Sequence, residues 1–464
     1  MKKILALVLA LAMALALVAC GGNSNSSTSG STPSSEPVAS TGDASTGDAD
    51  ASGSGETSGD VADSITLWTY PIGNWGDEAA VKELTDAFTA ETGISVTVEY
   101  LDYTNGDDRV NTAITANQTP DLIMEGPERL VANWGANGYL VDLSDMLDDE
   151  DMAEIQESVM AACTNSDGAV YEYPLVMTAH CMAVNVDAFK EAGADQYLDL
   201  ENHTWTTEDF KAAVAALYDY YGDTVGAVYC GGQGGDQGTR ALVNNLYGGT
   251  FTNEDHTAYT WDDPANIQAL EELVSMDGIA FDASLQGADE IARFYQGTLK
   301  MAFCWNIAQQ LDPNSAGTGS GLTMNGEEIA FMSFPSETGE SQLQGGIWGF
   351  GVFDNGDDAK IAAAKEFIKY MCDSEHTADA VQTANYFAVR DSAEGTDLST
   401  IWADNEIMNE YTKLMPYLGD YYQVTTGWAA ARTAWWNMLQ KIGQGDDVTE
   451  TVNSYLAEAN SAAE

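Results

Sequence analysis

The chain has 464 residues, 73 of them acidic and 17 basic, which gives a formal net charge of −56 at pH 7. A field of this sign repels nucleic acids and anionic lipids, so both are excluded as partners. Hydrophobic residues make up 44% of the chain. Because single cores stop growing at about 250 to 300 residues, the folded part is expected to form two lobes.

The chain starts with the pattern of an export signal. Lys2 and Lys3 precede an apolar run, residues 4–18, that is too short to span a bilayer comfortably, and Ala19-Cys20 follows. The pattern resembles the bacterial lipoprotein signal, in which the cysteine becomes the acylated first residue. We expect residues 1–19 to be removed and Cys20 to anchor the protein on the outer face of the cell membrane. An ordinary secretory signal with a chance cysteine is the alternative.

The segment after Cys20 predicts a tether. Residues 21–63 contain no aromatic residue, leucine, isoleucine, lysine or arginine, and consist largely of Ser, Thr, Gly, Ala and Asp. Such a composition cannot bury a core. Residues 20–63 are therefore expected to be a lipidated cysteine and a flexible linker, with an r.m.s. span of roughly 35 Å.

The first part of the remaining chain predicts a βαβ unit. The apolar run Ile65–Tyr70 indicates a strand, and residues 78–92 have apolar side chains at helical spacing before Gly93. Residues 94–100 alternate between apolar and polar side chains, as in a strand that is buried on one face. Two strands joined by a helix favour a parallel sheet with helices on both faces.

Further elements follow downstream. Thr206 and Asp209 have capping-box spacing at the start of a helical pattern. The acidic run 354–358 lacks the ligand spacing of a calcium loop and predicts a turn in which an aspartate caps the next helix. The remaining predicted elements are a strand at 120–124, helices at 206–221 and 360–372, and strands at 299–305 and 347–353 that cross between lobes.

Neither the cysteines nor the histidines form a metal-binding pattern. The five cysteines after Cys20 lack a CxxC unit, so we interpret them as small core residues, while a disulfide between Cys163 and Cys181 stays open. The histidines are widely separated in sequence, and no metal or cofactor is expected. The residues concerned are Cys163, Cys181, Cys230, Cys304 and Cys372, and His180, His203, His256 and His376.

A set of motifs in a fixed order resembles the family 1 extracellular solute-binding proteins of ABC importers, the group that includes maltose-binding protein. The resemblance extends from Ile65 to about Ala459. Its marks are ITLW at 65–68, AETGISVTVE at 90–99, TPDLI at 119–123, GTLKMA at 297–302, FPS at 334–336, Gly345-Gly346, and a late helix that ends near Tyr370.

The resemblance implies an α/β, two-lobed, periplasmic-binding-protein-like (type II) fold with a ligand cleft between the lobes. Hinge closure of such lobes on a solute is a known motion. By position, lobe 1 is expected to comprise residues 64–176 plus 308–345, and lobe 2 residues 177–307 plus 346–464.

A sugar presents hydroxyls that need hydrogen-bonding partners and an apolar face that packs on aromatic rings. In open α/β sheets ligands bind beyond the carboxyl ends of the strands. Two segments in the first lobe supply the required mixture after predicted strands: Tyr70, Asn74 and Trp75, and then Glu125, Glu128 and Arg129. The pair Glu128-Arg129 also resembles an acid–arginine pair that grips sugar hydroxyls in the maltose-binding branch, with a surface salt bridge as the alternative.

Other candidates lie in the second half of the chain. Trp428 and Arg432 are four residues apart on a helix, and their spacing resembles the family segment that lays a tryptophan against the sugar ring. Trp305 and Trp348 fit a cleft or a core equally well. Gln233 lies in a glycine-rich loop that fails the dinucleotide pattern and is a further cleft candidate.

These observations predict a receptor without catalytic activity that captures a carbohydrate and delivers it to the transmembrane subunits of an ABC permease. We expect a monomer that contacts the membrane only through its lipid anchor. One alternative is a cationic solute such as a polyamine, facing Asp102, Glu125 and Glu128. Others are a lipid-anchored glycoside hydrolase, whose cleft would also combine tryptophan with carboxylates, and a surface receptor without a permease.

Overall fold

The computed structural model describes residues 61–103, 105–231, 237–311 and 321–463. The signal, Cys20, nearly all of the tether, and Gln233 lie outside the described residues. The strands are β1 Ser64–Thr69, β2 Ser95–Tyr100, β3 Leu122–Glu125, β4 Tyr173–Ala179, β5 Cys181–Asn185, β6 Gly226–Gly231, β7 Ile279–Gln286, β8 Met301–Trp305, β9 Ile329–Met332, β10 Gly345–Val352, β11 Phe387–Ala388, β12 Ser392–Ala393 and β13 Thr396–Asp397.

Helices connect most of these strands. They are α1 Glu78–Thr92, α2 Gly106–Ala116, α3 Pro127–Arg129, α4 Asp149–Glu154, α5 Glu157–Cys163, α6 Val186–Ala192, α7 Thr207–Tyr221, α8 Gln237–Tyr247, α9 Pro264–Ser275, α10 Gly287–Tyr295, α11 Ile307–Leu311, α12 Asp358–Cys372, α13 Thr377–Ala384, α14 Glu406–Tyr411, α15 Trp428–Gly443 and α16 Val448–Ala463. In the part of the chain that the structure describes, no helix combines the length and apolar character needed to cross a membrane.

The first sheet has the strand order β11-β4-β10-β3-β1-β2. β1 pairs in parallel with β2 and with β3, which confirms the predicted βαβ unit. β10, in contrast, runs antiparallel to β3 and to β4. The sheet is therefore mixed, because β10 enters from far along the chain.

A second group of strands forms around β5. β5 pairs antiparallel with β8 and β9, and β6 pairs in parallel with β7. The backbone N–H of Met301 donates to the carbonyl of Val225 at 3.1 Å and links the two sets. The chain leaves the first sheet at His180 and returns after β9. At this crossing the backbone N–H of His180 donates to the carbonyl of Gln344 at 2.7 Å.

This pairing corrects the predicted division into lobes. β9 had been assigned to lobe 1 but pairs with β5, and β10 had been assigned to lobe 2 but lies between β3 and β4 in the first sheet. The apolar runs at 299–305 and 347–353 are therefore strands inside separate sheets and do not cross between lobes. A short apolar run indicates burial but not its pairing partner.

Local signals fixed the helix ends as predicted. Asp77 caps α1 by accepting hydrogen bonds from two backbone N–H groups, and Gly93 ends the helix in the left-handed conformation at φ 79°. Asp357 caps α12 in the same way, so the turn predicted for the acidic run is confirmed. The five cysteines are all buried and free, which confirms their core role and leaves no bond between Cys163 and Cys181.

Thr206 caps α7, and replacing it with alanine is expected to lower the free energy of unfolding by about 1 kcal/mol. Its hydroxyl accepts from the backbone N–H of Asp209, while the Asp209 carboxylate accepts from the backbone N–H of Thr206. Urea denaturation would measure the loss. Thr433→Ala is the control, since that exposed threonine lies inside α15 and caps nothing. Equal losses in the two variants would contradict the capping role.

Candidate functional site

A group of polar side chains lies at the carboxyl ends of two parallel strands. Tyr70 directly follows β1, Glu125 is the last residue of β3, and Arg129 lies one turn further on, in α3. Because β1 and β3 are neighbours, these side chains meet at one edge of the first sheet. We call Tyr70, Tyr103, Asp107, Glu125, Glu128, Arg129 and Tyr421 the arginine–carboxylate cluster.

Arg129 is the centre of this cluster. Its Nε donates to Oδ1 of Asp107 at 2.8 Å and its Nη2 to Oδ2 of the same carboxylate at 3.2 Å. Its Nη1 donates to Oε1 of Glu125 at 3.0 Å and lies 3.5 Å from Oε1 of Glu128. A bidentate guanidinium–carboxylate pair with a second carboxylate fixes the arginine in one orientation.

Burial and charge shift the titration of the two carboxylates that Arg129 binds. Glu125 is 1% exposed, and desolvation raises the pKa of its carboxyl although Arg129 opposes the shift. The backbone N–H of Gly126 donates to the second oxygen of Glu125. Burial is the largest effect on Asp107 and acts to raise its pKa, but the hydrogen bonds and charge of Arg129 and the hydrogen bond from Tyr70 together hold that pKa below its ordinary value.

Two tyrosines stack beside the guanidinium. The Tyr70 hydroxyl donates to Oδ1 of Asp107 at 2.6 Å, and its buried ring stacks on Tyr103 with centroids 5.1 Å apart. Arg129 lies 5.3 Å from one centroid and 5.6 Å from the other. Tyr103 is 52% exposed. Tyr70 is therefore a buried support of the cluster, whereas the ring of Tyr103 is exposed to solvent.

Residues from the last third of the chain complete the surroundings. The Tyr421 hydroxyl donates to Oε2 of Glu128 at 2.8 Å. Trp348 stacks on Tyr386 at 4.9 Å with an interplanar angle of 12°. A Cβ placed on Gly126 would lie 3.0 Å from Oε2 of Glu128 and 3.6 Å from Cδ1 of Trp348. The Trp348–Tyr386 pair therefore borders the cluster, and only a residue without a side chain fits between them.

Glu172 lies behind the carboxylates. It is fully buried, and neither of its oxygens has a hydrogen-bonding partner among the described residues. Burial raises the pKa of this carboxyl well above its ordinary value, with help from the charges of Glu128 and Glu125. If Glu172 is protonated, no unpaired negative charge is added next to the carboxylates of Glu125 and Glu128.

The structure places two predicted tryptophans in the core instead of a cleft. Trp75 is fully buried, with its indole N–H donating to the carbonyl of Ala380 at 3.2 Å. Trp305 is also fully buried, and its indole N–H donates to Oε1 of Gln310 at 2.9 Å. Both rings have satisfied polar atoms and no exposed face. Asn74 is exposed on the turn that holds Trp75.

Trp428 and Arg432 share a helix but contact different partners. Trp428 is 8% exposed and packs against the guanidinium of Arg240 at 4.8 Å and the ring of Tyr422 at 5.9 Å. Arg432 instead lies 5.5 Å from the centroid of Trp436. The four-residue spacing therefore does not bring these two side chains onto one ligand-facing surface in this structure.

Sequence reasoning missed Tyr103, Asp107, Tyr386 and Tyr421. Tyr103 and Asp107 follow β2, so the rule that selected Tyr70 and Glu125 applied to them as well. No comparable signal existed for Tyr386 and Tyr421. Tyr421 lies 293 residues after Glu128, whose carboxylate it binds, and Tyr386 reaches the border of the cluster by stacking on Trp348. Only the folded chain brings them there.

Comparison with known proteins shows the family to which the chain belongs. The family model described as bacterial extracellular solute-binding protein matches residues 83–410, more than half of the chain. The chain therefore belongs to the bacterial extracellular solute-binding proteins. Its two-lobed α/β architecture, expected from the resemblance, is confirmed by structural neighbours.

The chain is similar to individual sugar-binding proteins. A maltooligosaccharide ABC transporter solute-binding lipoprotein from Streptococcus pneumoniae serotype 4 is 30% identical over 129 residues. The match covers 27% of this chain and 29% of that protein. A cyclic alpha-maltosyl-1,6-maltose binding protein from Arthrobacter globiformis superposes with a TM-score of 0.69 at 19% identity, covering 86% of this chain and 98% of the other. An ABC substrate-binding protein from Listeria monocytogenes in complex with cycloalternan gives a TM-score of 0.65 at 16% identity, with coverage of 86% and 98%.

Proposed function

We propose that this protein is a lipid-anchored receptor that captures a sugar or oligosaccharide outside the cell and delivers it to the permease of an ABC importer. The observation that carries the proposal is the geometry at Arg129. The guanidinium is fixed by Asp107 and Glu125 while exposed aromatic surface lies beside it. Fixed planar donors and acceptors next to aromatic rings match the two surfaces of a sugar.

Each part of the cluster has a role in this proposal. Tyr103 and the Trp348–Tyr386 pair provide rings for the apolar faces of sugar residues. Glu128 and Arg129 provide hydroxyl partners, with Tyr421 fixing the Glu128 carboxylate. The carboxylates of Asp107, Glu125 and Glu128 offset the charge of Arg129, so the preference for a sugar rests on the aromatic rings and the fixed hydroxyl partners.

The relatives support a carbohydrate as the solute. The pneumococcal protein is named for maltooligosaccharides, and the Listeria protein was solved with cycloalternan. The lipobox at Cys20 supports the anchor. In the proposal, closure of the two lobes about the crossings near His180 and Gln344 presents the loaded receptor to the permease. The protein itself has no catalytic step.

The test is a thermal-shift screen of the purified protein against mono- and oligosaccharides, polyamines and amino acids. A ligand at about 100 times its Kd stabilises the folded state by roughly 2.7 kcal/mol and raises the melting midpoint. We expect stabilisation by at least one saccharide. Stabilisation by polyamines or amino acids without any saccharide, or by none of these compounds, would overturn the carbohydrate assignment.

Tyr103→Ala locates the site. We expect this variant to weaken the affinity for the stabilising saccharide about tenfold, because it removes the exposed ring beside Arg129. Tyr220→Ala is the matched control, since Tyr220 is 57% exposed and lies on α7, away from the cluster. Titration calorimetry would measure both. Equal affinities in the two variants would place the sugar elsewhere.

A further inference from the structure

A cavity near the crossing between the two groups of strands lies apart from the arginine–carboxylate cluster, and we call it the crossover cavity. It has a volume of about 520 Å³ and is bounded by the end of α8, the loop 248–254, the crossing segment 336–344, and Asp420 and Tyr422. None of its lining residues belongs to the cluster. Tyr421 directs its hydroxyl to Glu128, whereas Tyr422 stacks on Phe251 at 4.4 Å. This volume is typical of small-molecule sites.

Buried hydrogen-bond acceptors line this crossover cavity. Thr252 is 7% exposed and Gln344 5% exposed, and Oγ1 of the first and Oε1 of the second have no hydrogen-bonding partner among the described residues. Nε2 of Gln344 donates to the carbonyl of Asp420 at 3.1 Å, so it is the amide oxygen that lacks a partner. Oδ1 of Asn244 also has no hydrogen-bonding partner among the described residues. Native proteins rarely leave such atoms unsatisfied, so an occupant with hydrogen-bond donors would fit here.

The carboxylates that line the crossover cavity favour a positively charged hydrogen-bond donor. Glu254, Glu337, Glu340 and Asp420 contribute carboxylates, and the described lining contains no lysine or arginine. Asp420 is hydrogen-bonded to Nε2 of His256 at 2.8 Å, and the three glutamates add their carboxylates to the same lining. The carboxylates favour a cation over an anion. The buried guanidinium of Arg240 lies behind the stacked rings, 5.6 Å from the ring centroid of Phe251 and 5.7 Å from that of Tyr422. Among the described residues no group of three or more His, Cys, Asp or Glu side chains is arranged to hold a metal ion.

We propose that the crossover cavity binds a small organic amine at a site separate from the proposed sugar site. Ammonium groups donate to the buried oxygens of Thr252 and Gln344 and lie in the field of the glutamates. The stacked rings of Phe251 and Tyr422 provide an apolar wall for the carbon chain. The proposal does not depend on the identity of the sugar.

The experiment is titration calorimetry of the purified protein with 1,4-diaminobutane in 0.15 M NaCl. We expect saturable binding with one amine per protein, weakened about tenfold or more by Thr252→Val and by Gln344→Leu. Thr257→Val is the matched control, because this exposed threonine lies just beyond the loop and does not line the cavity. It should leave the Kd within twofold. Unchanged melting midpoints would show that the variants are folded.

Three results would overturn the proposal. The first is no binding to the folded protein at millimolar amine. The second is binding that Thr252→Val and Gln344→Leu leave unchanged, which indicates attraction to the acidic surface alone. The third is equal affinity for 1,4-butanediol, which has the same carbon chain without charge. Arg129→Leu separates the two sites, since we expect it to remove sugar binding while leaving the amine Kd unchanged.

Discussion

Arg129→Leu is expected to abolish detectable sugar binding and to lower the free energy of unfolding by about 3 kcal/mol. Binding fails because the fixed guanidinium is lost. Stability falls because Glu125, 1% exposed, loses its guanidinium partner and must either take up a proton or remain as an unpaired buried charge, and both are costly. Titration calorimetry with the stabilising saccharide and urea denaturation would measure the two effects separately.

A double variant distinguishes binding from folding. Glu125→Gln added to Arg129→Leu removes the unpaired acid, so we expect it to recover much of the lost stability but none of the binding. Arg109→Leu is the matched control, because Arg109 pairs with Glu99 where both side chains are over 40% exposed. Its loss is expected to cost at most about 1 kcal/mol. Sugar affinity within twofold of wild type in Arg129→Leu would contradict the proposed site.

Glu290 is expected to make the protein less stable as pH rises from about 5 to 8. It lies on α10, is fully buried against β8, and accepts hydrogen bonds from the backbone N–H groups of Phe303 and Cys304. Burial raises its pKa from an ordinary value of 4.5 to about 8, against the effect of those two donors. Between these pH values the folded state holds a proton that the unfolded state has lost, so stability is full below about 4.5 and declines up to 8.

The contribution of Glu290 to the pH dependence of stability is measured by comparing wild type with Glu290→Gln. Each pKa unit corresponds to about 1.4 kcal/mol, so the decline amounts to a few kcal/mol. In Glu290→Gln the slope of unfolding free energy against pH should become shallower, as measured by urea denaturation at pH 5, 6.5 and 8. Other buried acids and the repulsion among surface carboxylates contribute equally to both proteins and cancel. The exposed-site control Glu83→Gln should keep the wild-type slope; an identical slope in Glu290→Gln would show that Glu290 ionises as it does in the unfolded chain.

Part of the candidate site could be predicted from the sequence. Tyr70, Glu125, Glu128 and Arg129 follow predicted parallel strands, and the carboxyl ends of such strands meet at one edge. The structure brings all four together around Arg129. The rule worked because strand, helix and strand are close in sequence and their connection is constrained.

The sequence did not decide which tryptophans lie in the core and which lie near the candidate site. In the sequence Trp305 and Trp348 fit a cleft or a core equally well, yet Trp305 is fully buried and Trp348 stacks on Tyr386 at the border of the cluster. An aromatic residue is equally suited to a core and to a sugar surface. Which role it takes depends on the packing of distant segments, and periodicity does not encode that packing.

The sequence by itself determined the βαβ unit and the helix caps, since each of these depends on residues close together in the chain. The export signal, which lies outside the described residues, stays a prediction of the same local kind. Tertiary structure alone decided that β10 enters the first sheet, that β9 joins β5, and that Tyr421 reaches Glu128. These contacts join segments more than 100 residues apart. They are chosen by the burial of whole faces and by the satisfaction of buried polar groups, which are properties of the assembled core and of no single segment.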